Sequence, residues 1–391
     1  MSRARTITFS LFPVLLLLVI LEITGRVIYP FDIDARAMIK AERDPRIRLS
    51  YLSRSGDGKS ILFDVHRQPQ RYIPFLGWIG APNTDLPTIS TNSLGFRDDP
   101  IEPRQTDERR VLILGGSTAW GLGASANEYT VTGVMESLLN QGTQAYNYRV
   151  MNGAYPGWQS RNELIALMEF YNRFDPDYVI VLTGYNDLFT LTHGNDGELH
   201  TRPESRMLAN AVDESLKPMT TIRALRKVAG SLGIWRIVIH FREKMTLAKP
   251  HDGVTRYNAE TSSKVASDIL DRYLAMADYT QRHGSQLIIA LQPDIYTTEK
   301  AMTGEELGVR RRVTEGWRDI ETTYGKYRAD LHQLLTENLI AAGIPVIDLA
   351  GAFDGVQAPV FIDACHLNDE GYYDLGVFLF KQVGDHLTAM R

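Results

Sequence analysis

The stretch Val111-Leu-Ile-Leu-Gly-Gly-Ser-Thr-Ala-Trp-Gly121 decides how the chain is read. Four consecutive apolar residues, Val111 to Leu114, have the texture of a strand buried on both faces, as in a parallel sheet. Gly115 and Gly116 then let the backbone turn sharply and present the Ser117 hydroxyl at the start of a helix. Taken alone, a serine in that place is more often a helix N-cap than a nucleophile. The rest of the chain has to supply its partners.

Four further apolar runs follow: Tyr148–Met151, Tyr178–Leu182, Gln286–Leu291 and Ile344–Asp348. Apolar residues at helical spacing occupy Thr130–Leu139, Ser160–Arg173, Ser262–Arg282, Gly325–Ala342 and Glu370–Leu387. Strands alternating with helices imply right-handed crossovers and a parallel sheet covered on both faces. The expectation is a three-layer α/β/α domain of flavodoxin-like type, with a five-stranded parallel sheet, over residues 110–391.

In such sheets ligands bind beyond the carboxyl ends of the strands. Besides the Ser117 turn, three segments end there. Asn152-Gly-Ala-Tyr-Pro-Gly157 brings a glycine N–H to the end of the second strand, or is simply a tight turn. Gly184-Tyr-Asn186-Asp187 offers a side-chain amide that can donate to an oxyanion, or an Asx-turn. Asp363-Ala-Cys-His366 places an acid and an imidazole three residues apart, where one turn lets the carboxylate fix the histidine tautomer. No second histidine or acidic cluster lies nearby to complete a metal site.

These four blocks, in this order, resemble those of the SGNH hydrolase superfamily, also called GDSL esterases and lipases. The resemblance implies a serine esterase with Ser117, Asp363 and His366 as catalytic residues. It implies an oxyanion hole of Ser117, Gly157 and Asn186, and neither metal nor organic cofactor. Gly157 rather than Gly153 matches the family's second block, because it stands five residues after Asn152. The usual Gly-Asp-Ser-Leu is here Gly115-Gly116-Ser117-Thr118, which sets the chain apart from the well-studied lipase and thioesterase branches. The runner-up, an α/β-hydrolase, would need a glycine where Ala119 stands. Three activities share the blocks: hydrolysis of a small-molecule, glycan or lipid ester, transfer of the acyl group to a polysaccharide hydroxyl, and non-catalytic glycan binding. The first is the expectation.

The first residues depart from globular composition. Arg3 and Arg5 precede an apolar run from Ile7 to Ile23, near the lower limit of the ~17–25 residues that span a bilayer. A signal peptide fits the basic start, but no small-x-small cleavage site follows. The expectation is an uncleaved N-terminal transmembrane anchor over residues 1–30, single-pass in the inner membrane, with the catalytic domain periplasmic. Residues 31–109 read as a linker and a small β-containing module. In it Ile61–Val65 and Tyr72–Leu76 are strand-like, and Thr91-Asn-Ser-Leu-Gly-Phe-Arg97 is a turn with an aromatic anchor. A helical insertion at about 193–260 is basic through Arg223, Arg226, Lys227, Arg236, Arg242 and Lys244. It is expected to be a cap, a membrane-resting surface or a structural insertion.

Composition narrows the partners. With 42 basic and 47 acidic residues, net charge −5, there is no basic field for nucleic acid. A single cysteine, Cys365, excludes an intramolecular disulfide and argues against a cysteine-based metal site.

Overall fold

The computed structural model describes residues 3–28, 33–52, 58–141, 146–192, 256–315 and 319–388, with Gly233, Ile237 and Trp317 besides. It divides into two compact units, one of Met1–Lys40 with His200–Asp252, the other of Ala41–Leu199 with Gly253–Arg391. The expected insertion at 193–260 lies almost wholly outside the described residues.

In the first unit, helix α1 runs Arg3–Ile28. Phe12, Val14, Leu15 and Leu17 on it are each more than half exposed. Among the described residues no helix is long and apolar enough to cross a membrane, so the expected transmembrane helix is not supported. Pro13 lies inside α1, and a Glu22–Arg26 ion pair of 2.8 Å sits near its end. Glu22 places a charged residue within the last two positions of the Ile7–Ile23 run that the expectation rested on.

The second unit is built on a five-stranded sheet. Its strands are β3 (Glu108–Gly115), β4 (Asn147–Asn152), β5 (Tyr178–Thr183), β6 (Gln286–Leu291) and β7 (Val346–Asp348). The order is β4-β3-β5-β6-β7, and every pairing is parallel. This is the flavodoxin-like order, in which the direction of strand addition reverses between the first and third strands in sequence. Val111 to Leu114 and Val179 to Leu182 are fully buried, which explains their unbroken apolar texture. Each such side chain stabilises the fold by roughly 1.5–3 kcal/mol on burial.

Helices α5 (Val131–Leu139) and α11 (Asp369–Thr388) pack together on one side. Helix α8 (Ala259–Arg282) packs with α6 (Ser160–Ala166) and α10 (Ile320–Ala341) on the other. Side-chain caps fix the starts: Thr130 accepts from the Gly133 N–H of α5, and Asn258 from the Thr261 N–H of α8.

Residues 41–109 belong to this same unit. They contribute α3 (Gly58–Arg67) and a hairpin of β1 (Gln70–Ile73) and β2 (Gly77–Gly80). The strand-like reading of Ile61–Val65 is corrected: this segment is helical. Ile61 and Leu62 are buried in a small cluster with Ala41, Leu52 and Ile362. Asp64, also buried, accepts from Thr88 N–H and hydroxyl, both at 2.8 Å. Of Tyr72–Leu76, only the first two residues are strand, because the hairpin turns at Phe75. Thr91–Arg97 is a turn, closed by Asn92 Oδ1 on the Leu94 and Phe96 N–H groups. Phe96 is buried against Trp158 and Tyr171.

Candidate active site

The site forms where β3 ends, between β4 and β5. Gly115 has φ +153°, and a Cβ there would lie 2.2 Å from the Leu182 carbonyl oxygen of β5. Only glycine fits this close approach. The chain then enters a single helical turn, α4 (Ser117–Trp120), with Gly116 as N-cap.

At the other side of the site, Asp363 and His366 share one tight loop. The Asp363 Oδ1 accepts from the backbone N–H groups of Cys365 (3.1 Å) and His366 (2.9 Å). A backbone bond from Ile362 N–H to the His366 carbonyl (3.0 Å) closes the loop. This geometry brings the Asp363 Oδ2 to 2.7 Å from His366 Nδ1. His366 Nε2 lies 2.6 Å from Ser117 Oγ. Acid, imidazole and hydroxyl therefore form one hydrogen-bonded chain, although Ser117 and His366 are 249 positions apart.

The electrostatics suit that chain. Burial works to raise the Asp363 pKa, but the His366 imidazole, its hydrogen bonds and the Arg46 guanidinium outweigh it. Asp363 is held below the ordinary carboxylate range. The Cys365 thiol is pushed up, first by burial and then by the Asp363 charge. Asp363, Cys365 and His366 also bring ligand atoms within 4.8 Å of one another. As a metal set they are poor, since both imidazole nitrogens already have partners and the thiol stays protonated.

Asn186 stands at the nucleophile turn, against Gly116. Asn186 is in the first turn of α7 (Tyr185–Thr192), and its Nδ2 donates to the Trp158 carbonyl at 2.7 Å. An amide has two N–H donors, so this bond orients the group without consuming it. A Cβ on Gly116 would fall 2.2 Å from that Nδ2. The family's usual aspartate at this position cannot be placed here without moving Asn186. Gly157, with φ +79°, precedes Trp158, and no atom lies within 4 Å of where its Cβ would be. Gly153 is different, since its Cβ would strike Leu112 and Leu114 in the core.

The sequence did not single out Thr118, Gln292 or Arg46. Thr118 is fully buried; its hydroxyl donates to the Cys365 carbonyl (3.0 Å) and accepts from Gln292 Nε2 (3.0 Å). Its place beside Ser117 was the one available signal. Arg46 donates from Nη1 to Asp363 Oδ2 at 3.0 Å. The aromatics near the motifs, Trp120, Tyr155, Trp158 and Tyr185, are all buried core residues.

Residues 113–373, more than half of the chain, match the model of the GDSL-like lipase/acylhydrolase family. The chain belongs to that family. This GDSL-family member is accordingly an SGNH-type serine hydrolase, and carboxylic ester hydrolysis is the chemistry to which the family points. Among solved structures it is similar to an acetyl xylan esterase (12% identity, TM-score 0.40, covering 70% of this chain and 99% of that one). It is also similar to an acetylxylan esterase from Geobacillus stearothermophilus (12% identity, TM-score 0.40, covering 72% and 97%). No curated protein matches the chain.

Proposed function

We propose that the protein hydrolyses carboxylic esters of an envelope glycan or lipid, acetyl esters among them, through an acyl-enzyme on Ser117. The observation that carries this reading is the continuous hydrogen-bonded chain Ser117–His366–Asp363, at 2.6 and 2.7 Å. Ser117 Oγ attacks the ester carbonyl carbon while its proton passes to His366 Nε2. Asp363 supports the imidazolium through Nδ1. The negative charge that develops on the carbonyl oxygen is met by the N–H groups of Ser117 and Gly157 and by Asn186 Nδ2. The tetrahedral intermediate collapses, and His366 returns the proton to the departing alcohol. Water then attacks the acyl-enzyme by the same route and releases the acid.

The exposed apolar side chains of α1 support attachment to a membrane surface, and the hydrolase is proposed to work in the periplasm. Fractionation checks this: the protein should sediment with membranes and be released by detergent but not by salt.

The activity is tested with p-nitrophenyl esters of increasing chain length and with acetylated glycans. Ser117→Ala should abolish turnover; undiminished turnover would remove Ser117 from the reaction. Appearance of acylated acceptor in place of free acid would make the protein a transferase.

A further inference from the structure

Arg46 lies outside the matched family region and outside every motif that the sequence offered, yet it reaches the candidate triad. It belongs to a short turn of 3₁₀ helix, Pro45–Arg48, capped by Asp44. Asp44 grips its guanidinium on two nitrogens, Nε to Oδ1 at 2.9 Å and Nη2 to Oδ2 at 2.7 Å. That fork fixes the plane of the group and leaves Nη1 aimed at Asp363 Oδ2. This is the same oxygen that bonds His366 Nδ1. His66 of α3 adds a contact of 3.3 Å to Asp44.

The surrounding segment is built onto the loop that carries Asp363. Tyr51 hydroxyl donates to the Phe361 carbonyl at 2.9 Å, and Asn368 Nδ2 donates to the Tyr51 carbonyl at 2.9 Å. Leu52 is buried against Ile362. The segment is thus held in register with residues 361–368 by several independent contacts.

We infer that Arg46 is a positioning residue for the reaction: held by Asp44, it fixes the Asp363 carboxylate in the plane of the His366 ring and moderates its pull on the imidazole proton. The inference rests on the triad reading above. It makes residues 44–52 part of the working hydrolase. A bidentate guanidinium clamp gives orientation that a single ammonium does not. Its charge also acts on His366, because a cation on the supporting oxygen reduces how far Asp363 stabilises the imidazolium. The charged groups facing Asp363 are Arg46 from this segment and His366 from its own loop. Arg46 is faced in turn by Asp44, which His66 also contacts.

The test compares wild type, Arg46→Ala and Arg46→Lys in the full chain. Its readouts are p-nitrophenyl acetate kinetics across pH, and Ser117 labelling by a fluorophosphonate. In Arg46→Ala, kcat should fall about 10–100-fold with KM little changed. The acidic limb of kcat/KM should move to higher pH by about half a unit. Arg46→Lys should restore the limb but only part of kcat. Circular dichroism and thermal melts establish that each variant is folded. A variant that merely loses folded protein would show a smaller active fraction with an unmoved limb, and this would overturn the inference. A folded Arg46→Ala with wild-type kcat and pH profile would overturn it equally. If Arg46→Ala does not fold, Arg46→Lys decides alone: full wild-type kcat there would sink the clamp. Failure of wild-type Ser117 to label would remove the triad reading itself, an outcome distinct from the others.

Discussion

Asn186 and Gly116 are in contact across the candidate oxyanion hole, so close that residue 116 has no room for a side chain. A Cβ would stand 2.2 Å from Asn186 Nδ2 and 3.4 Å from the Trp158 carbonyl that holds this amide. Gly116→Ala should therefore push the amide away from the reacting oxygen. Loss of one oxyanion donor costs about 10²–10³ in kcat, and a loss of that size is expected, with KM changed much less. Steady-state kinetics of Gly116→Ala beside Asn186→Ala check it. Wild-type kcat in Gly116→Ala would mean that the amide is not used.

Thr118 links the nucleophile turn to the His366 loop and to Gln292 just beyond β6. Thr118→Val keeps the shape but deletes the hydroxyl. The Cys365 carbonyl and the Gln292 amide then lose a buried partner, at about 1–3 kcal/mol each. A destabilisation of about 2 kcal/mol or more is expected in urea unfolding. Turnover should fall as well, because the Cys365 carbonyl helps to seat the loop that carries His366. A Val variant as stable and active as wild type would show that neither bond matters.

Glu163 is fully buried on α6, 3.0 Å from the Thr183 hydroxyl and beside Tyr273. Burial first, and then the Asp187 charge, push its pKa well above the ordinary value of 4.5. The folded protein thus holds a proton that the unfolded chain gives up above about pH 4.5. Stability from this group falls as pH rises from there to the folded pKa, by at most about 1.4 kcal/mol per pH unit. Glu163→Gln removes that dependence. Urea midpoints should show the variant gaining on wild type between pH 5 and pH 8. Parallel curves would mean that Glu163 ionises in the folded state much as it does unfolded.

The parts legible in the sequence are those whose physics is local. Strands buried on both faces must be continuously apolar, so Val111–Leu114 and Tyr178–Leu182 announced themselves. Asp363 and His366 were legible because one loop, closed by their own backbone, brings them together. Ile61–Val65 was misread because so short a segment, four apolar residues and Asp64, shows no period of its own; burial of one face, with Asp64 tied to Thr88, made it helix. The meeting of Ser117 with His366 was legible only through the resemblance of the four blocks, and tertiary contacts outside those blocks were beyond reach. Arg46 meets Asp363 across 317 positions, and nothing near Pro45 signals that meeting. Glu163 looked like an ordinary helix residue, since its burial depends on Tyr273 and Thr183 from other elements.

Lys300 and Glu306 form an ion pair of 2.7 Å in which both side chains are fully buried. Glu306 Oε2 also accepts from the Thr303 N–H at 3.0 Å. Its Oε1 accepts from the Val360 and Phe361 N–H groups, at 2.9 and 3.2 Å. Those two residues lead straight into Asp363, so the carboxylate fastens the loop from below and Lys300 neutralises it. Lys300→Met leaves a buried carboxylate with backbone donors but no counter-charge. Breaking such a pair on one side costs about 3–5 kcal/mol, and the Tm should drop accordingly. Lys300→Met combined with Glu306→Gln should lose less than the single variant, because the second change removes the stranded charge while keeping an acceptor for Val360 and Phe361. Turnover should follow the same order, with Lys300→Met the weaker enzyme. If the double variant were less stable than Lys300→Met, the carboxylate would be tolerated on its backbone donors alone, and the charge of Lys300 would not be what the loop depends on.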